Sequence, residues 1–156
     1  MTEKFMPAVN AANVGVKVNY IGGAPAIGSP FTLVQKVSKG VYGMVGCTSA
    51  YYQNVLPEGD AIKLIEITNE ELHKNGGFDY ISKLHAEKDL HYVGRISAYI
   101  PFNLYLNKKI DKPDLTGLHL RVSPIYTAFF QAMGATTQSS SIAEVYTYME
   151  NGTVAG

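Results

Sequence analysis

The chain has 156 residues, one cysteine and 13 basic against 13 acidic side chains, for a formal net charge of zero. That length holds one domain, or one and a fraction, and 46% hydrophobic against 17% charged residues excludes a disordered chain. The charge balance gives no electrostatic case for nucleic acid or an anionic membrane surface, and the single Cys47 rules out an intramolecular disulfide.

No apolar run approaches the roughly 20 residues that a membrane span needs. The opening Met-Thr-Glu-Lys-Phe-Met-Pro has no charged start followed by an apolar core, as a signal peptide would. Phe5, Val9 and Ala12 align roughly as a helix up to Asn13, with Pro7 in its middle. Residues 14–21 alternate apolar and polar as a strand and end at Gly22-Gly23. Ser29-Pro30 opens a helix carrying Phe31, Val34 and Val37 and closed by Gly40; residues 41–47 then read as a second short strand. Helix, strand, helix, strand is the order of a parallel α/β sheet.

From Thr68, Thr-Asn-Glu-Glu is a capping box opening a helix toward Lys88, with Gly76-Gly77 a weak point inside it. Residues 91–99 and 102–110 are extended segments split by Pro101. Leu118, Leu120 and Val122 alternate with His119, Arg121 and Ser123, so a strand there turns Arg121 away from its apolar face. After Pro124, Ile125, Phe129 and Met133 have helical spacing up to Gly134, with Tyr126 and Phe130 beside them. Ser141-Ile-Ala-Glu144 is a second capping box, followed by Val145 and Met149 on the face of Ile142 before Gly152.

Arg121 is the first candidate for chemistry, because a planar guanidinium grips a carboxylate through two parallel hydrogen bonds. By spacing alone, a solvated arginine pairing with a nearby acid fits as well. Arg95 reads either as a second cation of a cleft or as an ordinary strand-surface arginine. Tyr51 and Tyr52 follow the strand at 41–47, near the end where parallel sheets place ligands; packing of a loop onto the domain accounts for them equally. Glu144 belongs to its cap. His73, His85, His91 and His119 show no metal-ligand spacing, so no zinc site is expected. Cys47 reads as a small packed residue rather than an activated thiolate. The glycine-rich string at 22–28 matches neither dinucleotide nor phosphate-loop spacing and reads as a turn, and no cofactor is expected.

Three stretches, residues 115–122, 133–136 and 144–156, resemble in order the Leu-Xaa-Gly-Leu-Lys-Ile-Arg strand, the Leu-Gly-Ala-Thr-Pro turn and the Glu-Val-Tyr helix of the solute-binding proteins of tripartite ATP-independent periplasmic (TRAP) transporters. The first half is similar to the same family through residues 16–19, Gly22-Gly23 and residues 35–44. The departures are Gly43 and Ala155 where the family has Asp, His119 for Lys, and Thr137 for Pro.

The resemblance implies a periplasmic-binding-protein-like α/β fold, with residues 1–100 as a first lobe lacking its first strand and residues 101–156 as the start of a second, the boundary lying near 100–103. It implies that Arg121 holds a substrate carboxylate. It also brings in Asn103 at the crossover and Tyr146 in the Glu-Val-Tyr motif. The expected protein is a periplasmic binding component, monomeric or weakly self-associating, that delivers a small organic acid to TRAP membrane subunits. On this reading the chain is a mature or cut form of a protein about twice as long. The rival is a soluble α/β enzyme using Arg121 as an anion anchor, for which no nucleophile, base and orienter stand at recognisable spacing. A purely structural interaction domain is a third reading.

Overall fold

Local turn chemistry sets most element ends in the computed structural model, which describes residues 2–24, 26–96, 100 and 102–156. Helix α1 (Phe5–Ala12) ends at Asn13 in the left-handed region. Helix α2 (Pro30–Ser38) starts with proline at its first position. Its end is a Schellman turn: Gly40 at φ +72° sends its N–H to Val37 O at 2.9 Å, and Val41 N–H reaches Lys36 O at 2.8 Å. The weak point at Gly76-Gly77 is a full break between α3 (Asn69–Lys74) and α4 (Gly77–Ala86), with Gly76 at φ +80°. The capping box of α3 is complete, since Glu71 N–H donates to Thr68 Oγ1 and Thr68 N–H to Glu71 Oε2.

The strand predicted around Arg121 is β1 (His119–Val122). A short turn at Pro124–Tyr126 leads into α5 (Thr127–Ala132), and the chain returns as β2 (Thr136–Ser139), which pairs with β1 in parallel. His119 stands opposite Thr136, and Arg121 opposite Gln138. The turn into β2 depends on Gly134 at φ +89°, where any Cβ would press on the Thr116 backbone at 3.2 Å. Ile142–Glu144 forms one tight turn behind the Ser141 capping box and passes into α6 (Val145–Glu150).

Residues 155 and 156 lie along the other side of β1. Ala155 N–H bonds His119 O, and Arg121 N–H bonds Gly156 O, both at 2.7 Å. Asn107 N–H then reaches Ala155 O at 2.9 Å, so β1 is flanked on both sides. Its Leu120 and Val122 are buried with Leu115, Leu118 and Ala135 in one apolar cluster. A separate cluster gathers Val34, Tyr52, Leu56 and Leu90.

The extended segments of the first half differ from expectation. Residues 14–21 and 41–47 carry no ladder among the described residues. Apolar alternation favours extended backbone but does not supply a partner edge. In the first segment the Asn10 side chain takes both backbone groups of Val18, at 3.0 and 2.7 Å, while Val14, Val16, Tyr20 and Ile21 stay exposed. Of the predicted segment at 91–99, Ser97, Ala98 and Tyr99 lie outside the described residues, as does the dividing Pro101.

Candidate functional site

Arg121 takes its place from the pleat of β1. Its neighbours Leu120 and Val122 point into the core, leaving the arginine on the opposite, partly exposed face. The guanidinium reaches across to the loop after β2. There Nε donates to Ser140 Oγ at 3.4 Å and Nη2 donates to the Ser140 carbonyl. Ser140 is buried, and its hydroxyl donates to Ser141 O at 3.3 Å. Ser141 is fixed in turn by Glu144, whose Oε2 accepts from both the Ser141 N–H and its hydroxyl, at 2.9 and 2.8 Å. These bonds from Ser141, then that from Tyr148, and last the nearby Arg121 charge hold the Glu144 carboxyl below the usual range. Glu144 is thus the cap that the sequence predicts.

His119 lies on the same face of the strand, two residues before Arg121. Its Nδ1 meets Thr136 Oγ1 at 2.9 Å, and its Nε2 meets Gln138 Oε1 at 3.3 Å. Residues 119, 121, 136 and 138 therefore make one polar face on the two-strand ladder.

Beyond β1, the chain turns at Pro124–Tyr126, and this turn contacts the Ser49–Tyr51 turn of the first half. One further contact joins the halves nearby: Lys63 Nζ, paired with Asp60 at 2.8 Å, lies 3.4 Å from Ile125 O. Within the second half, the Phe102 and Tyr126 ring centroids are 5.4 Å apart. The carboxyl end of the Arg121 strand thus faces first-half residues, an arrangement in which parallel sheets receive ligands.

The remaining candidates separate by burial. Tyr51 is half-buried, its ring edge-on to Phe31 at 5.1 Å in the turn facing Pro124–Tyr126. Tyr52 belongs to the first-half core. Its hydroxyl meets His85 Nε2 at 3.3 Å, and burial first, then Tyr92 and Cys47, pushes it up to about 12. His85 Nδ1 donates to Ile81 O at 2.8 Å, since a carbonyl only accepts.

Arg95 is tied to the stretch before and into α3: Nη1 to Ile65 O at 3.2 Å, Nη2 to Ile67 O at 2.9 Å and Nε to Asn69 Oδ1 at 3.2 Å. It also borders a cavity of about 200 Å³ lined by aromatic rings, among them His73 stacked on Phe78. Asn103 is exposed beside Phe102, and Tyr146 is exposed on the first turn of α6. The structure therefore brings the turns after Arg121 and around Tyr51 into contact, sets Asn103 next to the Phe102 that touches Tyr126, and gives Tyr52 and Arg95 partners within the first half. Cys47 is half-buried and its thiol is pushed up to about 11 by burial, in keeping with a packed rather than activated sulfur. Sequence reasoning missed Ser140 and Lys63. A run of three serines and a lysine three residues after an aspartate give no signal of what lies across the fold.

The sequence model of the DctP family, described as bacterial extracellular solute-binding protein, family 7, matches residues 23–156. The crystal structure of a TRAP periplasmic solute-binding protein from Sulfitobacter sp. NAS-14.1, solved with bound β-D-galacturonate, aligns with a TM-score of 0.76 at 19% identity. The alignment covers 99% of this chain and 54% of that one, so the chain spans about half the length of that protein. At this identity the likeness establishes the fold: α/β, of the periplasmic-binding-protein type. With the family model covering most of its length, the chain belongs to the bacterial extracellular solute-binding protein family 7.

Proposed function

We propose that this chain is the carboxylate-gripping part of a TRAP transporter's solute-binding component, and that Arg121 is its anchor. The observation carrying the reading is the position of Arg121: at the end of a core strand, on its polar face, beside the turn where the two halves of the chain meet. Residues 1–100 form the first lobe and residues 101–156 begin the second. The two separate apolar clusters, one on each side of that boundary, support the division. Tyr51 looks across from the first lobe, Asn103 and Tyr146 border the cleft, and Tyr52 and Arg95 hold first-lobe structure.

The action is binding rather than catalysis. A small organic acid bridges the lobes, closure removes water from the guanidinium and carboxylate pair, and the closed protein delivers its cargo to membrane subunits from the periplasm. The galacturonate bound by the structural neighbour makes a sugar acid the first ligand to try. A hydrogen bond to a charged group is worth about 1.5–3 kcal/mol, roughly ten- to a hundredfold in affinity. The test is a thermal-shift screen of the full-length protein with galacturonate, glucuronate and C4 dicarboxylates, repeated with Arg121→Ala. An upward shift for one acid that disappears in the variant is expected; a shift that survives unchanged removes Arg121 as anchor, and turnover of the acid favours the enzyme reading.

A further inference from the structure

A guanidinium offers two forks of parallel N–H groups that suit a pair of oxygens: a side-on fork made by Nε and the nearer N–H of Nη2, and an end-on fork made by the outer N–H groups of Nη1 and Nη2. In this protein Ser140 occupies the side-on fork, offering its hydroxyl oxygen to Nε at 3.4 Å and its carbonyl to Nη2. We propose that Ser140 is a positioning residue that locks the plane of Arg121 through the side-on fork and reserves the end-on fork for the ligand carboxylate. This rests on the reading of Arg121 as the anchor and adds to it the direction from which the acid is gripped.

Ser140 is suited to the task because it is itself held. It is 7% exposed, so its oxygens do not exchange freely with solvent partners. Its hydroxyl hydrogen goes to Ser141 O at 3.3 Å, which leaves the lone pairs of Oγ for Arg121. Ser141 is clamped by Glu144 Oε2 through its N–H at 2.9 Å and its hydroxyl at 2.8 Å, and Glu144 also accepts from the Tyr148 hydroxyl at 3.0 Å. The orientation of the guanidinium thus derives from the capped start of the final helix through three consecutive links, Glu144 to Ser141, Ser141 to Ser140 and Ser140 to Arg121. On the strand side, the backbone N–H of Arg121 is fixed to Gly156 O at 2.7 Å, so the root of the side chain is held as well. An arginine anchored at both ends loses less rotamer freedom on binding than a solvated one. A planar carboxylate meeting the end-on fork makes two parallel bonds without displacing either bond to Ser140.

The test reads the guanidinium directly, by nitrogen-15 NMR of arginine side chains in the full-length protein, with acetate as the minimal carboxylate. In the native protein the Arg121 Nε–H signal is expected to be protected from solvent exchange, and acetate is expected to shift the Nη signals and leave Nε in place. Ser140→Ala is expected to abolish the Nε–H protection and let acetate shift Nε too, while Ser140→Thr, which keeps the hydroxyl, restores the native pattern. A protected Nε–H in Ser140→Ala, or an acetate shift at Nε in the native protein, overturns the assignment of Ser140. Loss of protection in Ser140→Ala together with no acetate shift at any Arg121 nitrogen overturns instead the anchor reading on which the ligand half of the proposal rests. The threonine variant separates loss of the hydroxyl from a general disturbance of the loop.

Discussion

Residues 14–21 and β1 are both short alternating apolar stretches, and they meet different fates. In β1 the backbone is bonded on both sides, to β2 and to residues 155 and 156, and Leu120 is fully buried. In residues 14–21, Val16 is 61% exposed and Val18 finds its partner in one asparagine side chain. Alternation decides which way side chains point; pairing along the edges and burial of the apolar face decide whether a strand contributes a core. Arg121 stands on the region that has both, which is why its guanidinium can be held in one orientation.

The sharpest way to break this contrast is to truncate one apolar side chain in each stretch. Leu120→Ala removes a side chain with 0% exposure and is expected to cost about 2–5 kcal/mol in chemical denaturation, whereas Val16→Ala should stay within about 0.5 kcal/mol. Equal losses would show that both stretches are core strands.

Next in size is a pH effect confined to the apolar cluster around Tyr52. Tyr52, ordinarily near 10, is pushed up to about 12 in the folded protein. The folded state therefore holds that proton more tightly than the unfolded chain. The associated stability is present in full below about pH 10 and is lost as pH rises toward about 12, amounting to about 2–3 kcal/mol for a shift of this size. Tyr52→Phe should flatten that alkaline loss in denaturation curves measured between pH 9 and 12, at a cost near neutrality of about 1–3 kcal/mol for the unpartnered His85 nitrogen. An unaltered alkaline slope would remove Tyr52 from this account.

Smaller effects come from the caps. Thr68→Ala and Ser141→Ala are each expected to cost about 0.5–2 kcal/mol. Their partners Glu71 and Glu144 are both held below the usual carboxylate range, chiefly by those bonds. The carboxylate share of each cap should thus be present above the ordinary glutamate range and fade as pH falls through the lowered folded values, so the deficits of the variants should shrink in acid, while the part that Thr68 Oγ1 contributes by accepting from Glu71 N–H remains. Only Ser141→Ala should also disturb Arg121, through Ser140. Smallest in energy is Cys47: with its thiol at about 11, modification by a disulfide reagent at pH 8 should run far more slowly than for a free thiol. Ordinary reactivity would show that the 41–47 segment opens readily.

What was legible in the sequence was local. The capping boxes at Thr68 and Ser141, the break at Gly76 and the alternation of β1 each sit within a few residues and need no distant partner. Strand β2 was not legible because Thr-Thr-Gln-Ser carries no apolar alternation; it is extended because β1 offers an edge. The adjacent Tyr51 and Tyr52 gave no sign of which ring would enter the core. Likewise, the spacing around Arg95 could not show that its guanidinium reaches the carbonyls of residues 65 and 67. The placement of Arg121 on the polar face of its strand was readable from the strand pattern, while its contact with Ser140, 19 residues away, exists only once β2 has paired.

The most direct measurement is calorimetric titration of the full-length protein with a hexuronate and with the neutral hexose of the same stereochemistry, each repeated on Arg121→Ala. The native protein is expected to prefer the acid by at least tenfold, and the variant to lose most of that preference. A native protein that binds both sugars equally, or a variant that keeps the full preference for the acid, would contradict that expectation.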